Sequence, residues 1–300
     1  MSKVRLPVST RVAILRTPKL SKARGRTLIS PSQIEAPFIK RYPFTVRFKL
    51  LLPSVFKMSH FNYLDGSKLK NPVLVAGFPG IANIGKLAVE YLIHRLEATK
   101  FAELYSEYFP EWTIQEGDTL KTLKMDFFRA RPPALKHDLL LVTSDAQAAT
   151  PLGQYVLTGE TLDFAKKHGT ETVITMAAYV LSQNEPVNKR VMGAASHSEL
   201  NELLEKHGVS LINGGMIVGM NGLLPALAAS RGMRGFCLLG TTKGGLLDVE
   251  ASEAILRVLQ AILGFEVDLQ ELHQHALYFP KLKPILKSSR EFEDELSYIR

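Results

Sequence analysis

Three hundred residues, 46% of them hydrophobic, suffice for one large domain or two small ones. The single cysteine, Cys237, excludes an intrachain disulfide and fits a reducing cytoplasm, and no apolar run approaches the ~20 residues that span a bilayer. The net charge of +8 is unevenly placed: residues 1–57 hold thirteen Lys and Arg against one acid, Glu35, which leaves 24 basic and 28 acidic residues in 58–300. The basic character therefore belongs to a leader of +12, and the body, at −4, gives no ground for nucleic-acid binding.

In residues 1–57, Pro7, Pro18, Pro31, Pro37, Pro43 and Pro53 interrupt every periodic pattern, and the excess of Lys and Arg repels itself. Such a segment is expected to be disordered. It reads as a targeting presequence, as a nucleic-acid-binding arm, or as the product of a start assigned too far upstream, since Met58 directly precedes a sensible domain start.

The body is organised around Pro72 to Glu97. Val73 to Ala76 suit a strand covered on both faces, and Gly77, Pro79, Gly80 and Gly85 punctuate the loop that follows. Asn83 is placed to cap a helix whose apolar stripe is Ile84, Leu87, Ala88, Tyr91 and Leu92, with Lys86, Glu90 and His94 as a solvated row opposite. Strands are expected near Phe101–Tyr108, around Leu123, Met125 and Phe127, and at Leu139–Val142. Thr150-Pro151 opens a helix that Gly169 ends. Further strands follow at Val173–Met176 and Lys189–Ser196. Ser196 to Glu199 has capping-box spacing for a helix with Leu200, Leu203 and Leu204, stopped by Gly208. After the short run Val209–Ile212, the glycine-rich Asn213–Gly222 leads into a helix to Ser230. Phe236–Leu239 is the last buried strand. Asp248 caps a helix ended by Gly264, and Asp268 to Glu271 is a second capping box. The alternation implies an α/β domain with a mainly parallel sheet between two helix layers.

Gly80 to Lys86 meets the spacing of a phosphate loop, but Leu87 stands where the Mg²⁺-binding hydroxyl should be. The loop reads as a tight packing turn first and as an anion site second. Asp145 and Gln147 follow a strand, where a carboxylate can act as base or simply bond loop backbone. No metal-ligand spacing and no nucleophile elbow occurs, so neither metal nor cofactor is expected. The loops holding Gly77–Lys86, Asp145 and Asn221 could meet at one sheet edge. Near the C-terminus, Phe292, Leu296 and Ile299 share one face of a short helix after Ser289, which docks either on the protein's own oligomer or, with Tyr298 as its anchor, on a partner.

Four segments in order, Gly77-Phe78-Pro79-Gly80-Ile81 with Ile84-Gly85, Asp145-Ala146-Gln147 with Gly153-Gln154-Tyr155, Gly219-Met220-Asn221-Gly222-Leu223-Leu224, and Cys237-Leu238-Leu239-Gly240-Thr241-Thr242, resemble the PAC2 family, archaeal relatives of proteasome assembly chaperone 2. The resemblance covers about residues 62–265. It implies a phosphorylase-like, three-layer α/β/α fold, a cytoplasmic archaeal protein, self-association, no established catalysis, and binding to proteasome α-subunits or related proteins. Such chaperones often end in a hydrophobic-Tyr-X tail; here Tyr298 is third from last, ahead of Ile299 and Arg300. The expected organisation is a leader at 1–57, one α/β domain at 58–279 and a tail at 280–300. The expected function is a homo-oligomeric, non-catalytic scaffold, with loop residues Gly77, Pro79, Gly80, Asn83, Gly85, Lys86, Asp145, Gln147, Asn221 and Gly222 as its ligand or partner surface. The alternative is a nucleotide- or anion-binding enzyme using the Gly77–Lys86 loop.

Overall fold

The computed structural model describes residues 59–188 and 190–277. The leader, Met58 and the C-terminal helix expected around Phe292, Leu296, Tyr298 and Ile299 lie outside the described residues. In chain order the elements are β1 (Ser59–Tyr63), β2 (Val73–Ala76), a 3₁₀ turn (Ile81–Asn83), α1 (Ile84–Arg95), β3 (Thr99–Ser106), β4 (Thr113–Glu116), β5 (Thr119–Thr122), β6 (Lys124–Ala130), β7 (Leu139–Ser144), α2 (Pro151–Lys167), β8 (Thr172–Val180), β9 (Val191–Ala195), α3 (Ser198–Lys206), β10 (Ser210–Leu211), α4 (Met220–Ser230), β11 (Arg234–Thr242), α5 (Val249–Leu263) and α6 (Leu272–Leu277).

Among the described residues, nine strands form one sheet in the order β1-β3-β6-β7-β2-β8-β11-β9-β10. Its centre, β7-β2-β8-β11, is parallel, while β1, β3 and β6 on one flank and the β9–β11 pair on the other are antiparallel. The expected parallel sheet is thus the core of a mixed one. The central strands are all-apolar because both faces are covered. Val75, Leu139, Leu141, Ile174 and Met176 point into a layer with α1, α3, α5 and α6. Leu74, Ala76, Leu140, Val142 and Val173 point into the opposite layer with α2 and α4. Cys237 is fully buried in β11, which raises its thiol pKa to about 12.

Several boundaries are set as the residues imply. Thr150 Oγ1 accepts from Gly153 N (3.1 Å) with Pro151 at the first helical position of α2, and Asp248 Oδ1 accepts from Ala251 N (2.9 Å) at the start of α5. Other expectations are corrected. Asn83 does precede α1, but in the left-handed region, and its side chain donates to Leu246 O (3.1 Å) rather than capping the helix. Ser196 does not cap α3: its hydroxyl accepts from Gly235 N (2.9 Å) and bonds His197 Nδ1 (2.7 Å), tying β9 to β11 instead. Asp268 Oδ1 accepts from Gln270 N (2.9 Å), and the helix beyond is only six residues long. The hairpin β4–β5 was not anticipated. It forms a separate two-stranded sheet around a turn with Gly117 in the left-handed region.

On the antiparallel flank, register sets Glu103 of β3 directly opposite Asp126 of β6, both nearly buried. Two carboxylates so placed repel unless neutralised. Lys100 Nζ lies 3.3 Å from Glu103 Oε1 and 3.1 Å from Asp126 Oδ1, and Lys124 Nζ contacts both. Burial alone would raise the Glu103 pKa. Hydrogen bonds from Lys124, Tyr105 and Asn62, with the Lys124 charge, outweigh it and hold the carboxyl at about 2 instead of 4.5. Since the folded value is the lower one, the unfolded chain takes the proton first. The stabilisation is therefore present above pH 4.5 and is lost as pH falls towards about 2. Glu103→Gln should flatten this acid limb of the stability profile, measured as urea midpoints against pH; an unchanged limb would remove Glu103 as its source.

Candidate functional site

The parallel strands end along one edge of the sheet, where α/β folds gather ligand or partner loops. The loop after β2 is shaped there by backbone proximity. A Cβ on Gly77 would stand 2.0 Å from Gly85 O, and one on Gly85 would stand 1.9 Å from Met176 O. Only glycine at both positions lets the first turn of α1 lie against the loop on one side and β8 on the other. Gly80 is different: its φ of −175° is ordinary extended backbone and its nearest neighbour would be 3.9 Å away. Beyond it, Ala82 (φ 50°) and Asn83 (φ 47°) are consecutive left-handed residues. Alanine pays about 1 kcal/mol for that conformation. Asp248 N, donating to Ala82 O (3.1 Å), and Asn83 Nδ2, donating to Leu246 O, hold the turn against the β11–α5 loop.

Side chains from three loops then lock this edge. Gln147 Nε2 donates to Pro79 O (2.7 Å) while its Oε1 accepts from Met220 N (2.9 Å), joining the glycine loop to the start of α4. Gly219, at φ 81°, leaves the space this carboxamide occupies, since a Cβ would meet Gln147 Oε1 at 2.4 Å. Asn221 Oδ1 accepts from Phe78 N (3.4 Å), and its carbonyl accepts from the Thr175 hydroxyl (2.6 Å). Thr143 Oγ1 donates to Gly77 O (2.8 Å). Gly222 packs under Ile217, whose carbonyl would lie 2.3 Å from an added Cβ.

Lys86 overturns the expected solvated row. It is 1% exposed, and its Nζ donates to Ser144 O (2.7 Å) and pairs with Glu90 Oε1 (2.7 Å). Its amine therefore holds the end of β7 from within. Asp145 also faces inward: its Oδ2 accepts from Lys124 N (3.2 Å), on the β6 side. The three loops do meet at the edge, through Gln147 and Asn221, but Asp145 and Lys86 do not join them around an opening.

That opening is a groove of about 680 Å³. Gly80, Gly85, Gln147 and Asn221 line it together with apolar residues that include Ile84, Tyr179, Ile212 and Val218, and no charged side chain takes part. The loop Gly214–Gly219 overhangs it with Met216 and Val218, exposed at 92% and 83%. These two escaped the sequence reading, although their position between Gly214-Gly215 and Gly219 marks apolar residues displayed on a loop. A wider groove of about 1210 Å³ lies between α5, residues 264–270 and Pro133-Ala134, and holds none of the candidate site residues. Among the described residues no three His, Cys, Asp or Glu side chains gather as metal ligands, and no described helix is long and apolar enough to cross a membrane.

Fold and site together define a three-layer α/β protein whose carboxyl-edge loops are bonded to one another and present an uncharged, apolar opening. The chain belongs to the PAC2 family, whose model matches residues 74–279. It is similar to PbaB of Pyrococcus furiosus, an archaeal proteasome activator, with 32% identity, 78% of this chain and 99% of that chain covered, and a TM-score of 0.68. An uncharacterised protein of Methanocaldococcus jannaschii is 31% identical over 235 residues, 77% of this chain and 88% of the relative. At 22% identity, Pyrococcus furiosus PbaA, an archaeal homologue of proteasome-assembly chaperone, shares the fold with a TM-score of 0.65, covering 78% of this chain and 99% of its own.

Two measurements check the site. Gly85→Ala should cost more than about 3 kcal/mol or prevent folding, because its methyl meets rigid backbone, whereas Gly80→Ala should stay within about 0.5 kcal/mol of wild type in urea unfolding. Lys86→Ala should cost roughly 2–4 kcal/mol by the cavity left and the unpaired Glu90 and Ser144 groups. A wild-type midpoint for Lys86→Ala would mean that the amine is not held as described.

Proposed function

We propose that this protein is a proteasome-directed chaperone-like scaffold. It is homo-oligomeric and non-catalytic, acts in the cytoplasm, and binds proteasome α-subunits or related proteins. The observation that carries this reading is the likeness to PbaB, which joins 32% identity to near-complete coverage of that chain at a TM-score of 0.68. The chemistry of the edge agrees with it. Gln147, Asn221, Thr143 and Thr175 bond to loop backbone, and the groove they support offers an apolar surface of the kind that recognises protein. The alternative, a nucleotide- or anion-binding enzyme, would need Lys86 to reach a phosphate, and that amine is engaged by Ser144 and Glu90. The lone buried thiol fits a reducing compartment. The tail residues Phe292, Leu296, Tyr298 and Ile299 complete the proposal as the segment that grips the partner, with Tyr298 as anchor.

Full-length protein immobilised through its N-terminus tests this against purified host proteasome α-subunits. Retention of the α-subunits is expected, as is a loss of at least tenfold in affinity when residues 289–300 are deleted. Titration calorimetry with Mg²⁺-ATP should give no heat of binding. Absence of α-subunit retention combined with saturable ATP binding would transfer the assignment to the enzyme reading.

A further inference from the structure

The wider groove, beside α5, is complementary to the chain that follows α6. Its floor is apolar, with Phe265 and Leu269 buried, Val267 half-buried and Ala261 exposed on α5. Its rim is acidic: Glu253, Glu266 and Asp268 line it against one guanidinium, that of Arg257. Arg257 Nε donates to Glu253 Oε1 (2.9 Å), so those two charges offset each other. Glu266 and Asp268 remain exposed, and Arg95 comes no nearer to the Asp268 carboxylate than 3.9 Å. A volume of about 1210 Å³ exceeds the ~300–1,000 Å³ of a small-molecule pocket and suits a length of peptide.

We infer that residues 279–287 of the same chain, Phe279-Pro280-Lys281-Leu282-Lys283-Pro284-Ile285-Leu286-Lys287, lie along this groove as an extended strap. The described chain ends close to it. His273 lines the groove, and Leu277, the last described residue, is four residues further along α6, about 6 Å on. Tyr278 to Pro280, when extended, cover about 10 Å, enough to turn back to the groove. Charge selects this segment. Lys281, Lys283 and Lys287 give it +3 with no acid, whereas Glu291, Glu293, Asp294 and Glu295 would set the last stretch of chain against the acidic rim. Leu282, Ile285 and Leu286 supply apolar side chains for the floor. Proline disfavours helical backbone in the residue before it, so Phe279 and Lys283 favour the extended form that a groove accepts. A tether this short also holds the segment at an effective concentration on the order of millimolar, which a separate peptide seldom reaches. The inference rests on the function proposed above in one respect: the strap would hold residues 289–300, proposed to grip the partner, at the flank of α5.

The test is carbodiimide coupling of the full chain, which joins a lysine amine to a carboxylate in contact with it as an amide, with loss of water. Peptide mass mapping should find Lys281, Lys283 or Lys287 joined to Glu266 or Asp268. In an equal mixture of ¹⁵N-labelled and unlabelled protein the joined peptides should carry one isotope only, as coupling within one chain requires. Leu282→Ser/Ile285→Ser/Leu286→Ser keeps every charge and should lower the yield at least tenfold. Ala261→Lys, at an exposed helix position, should do the same from the groove side with an unchanged unfolding midpoint. Absence of these coupled pairs in the wild type overturns the inference, as does a yield that both variants leave unchanged. Joined peptides of mixed isotope would place a second copy's segment in the groove and overturn it as well. Single-isotope coupling that both variants lower, in a protein that never retains α-subunits, would leave the strap standing without the proteasome-directed role. Retention of α-subunits without coupling would remove the strap and leave that role.

Discussion

The structure depends on one close approach of backbone to backbone. Gly77, Gly85 and Met176 stack so tightly that no side-chain carbon fits between loop, helix and strand. The contact seats α1 directly on the middle of β8 and is made possible by what both glycines lack. A glycine near the start of a helix ordinarily costs about 1 kcal/mol relative to alanine. Here the sign reverses, because the space is already filled. The same approach forces the chain through the two left-handed residues Ala82 and Asn83 before the helix can begin. A strained turn thus follows from the packing and does not by itself indicate catalysis.

From that contact the character of the edge follows. Once the loop lies this close to its neighbours, its exposed backbone groups are within reach of Gln147, Asn221 and Thr143, and they bond inward. Lys86, one turn further on, is drawn beneath the sheet end to Ser144. A spacing that resembles a phosphate cradle has therefore become an internal brace, and the opening is left without a charged side chain. Polar networks of this kind fix loops precisely because each unmet partner would be costly.

Much of the layered fold was legible in the chain. Apolar tetrads such as Val73–Ala76 and Leu139–Val142 marked buried strands, and Thr150-Pro151 and Asp248 marked helix starts that the structure confirms. What escaped did so for physical reasons. Lys86 lies four residues before Glu90, the pattern of a solvated pair, and only the tertiary neighbour Ser144 O makes it a buried one. Ser196 has cap spacing, yet an edge amide at Gly235 competes for its hydroxyl. The antiparallel flanks could not be read from hydropathy, because direction leaves no mark on an alternating strand. The arm β4–β5 is nearly all exposed and so lacks the apolar signal that reveals a strand. At the site, Gly77, Gly85, Gln147 and Asn221, all named from the sequence, lie where the loops come together. Met216 and Val218 were not named, since a surface residue is recognised by what it fails to touch.

The lone cysteine carries a practical consequence. Cys237 sits in the middle of the central sheet with no exposed surface and a thiol held far from its reactive thiolate form. A modifying reagent reaches it only when β11 separates from its neighbours, which means that the whole sheet has opened. The native chain therefore contains a built-in clock for global unfolding and is otherwise silent to thiol chemistry. A cysteine introduced anywhere on the surface would be the sole site to accept a spectroscopic label, with no native residue to remove first.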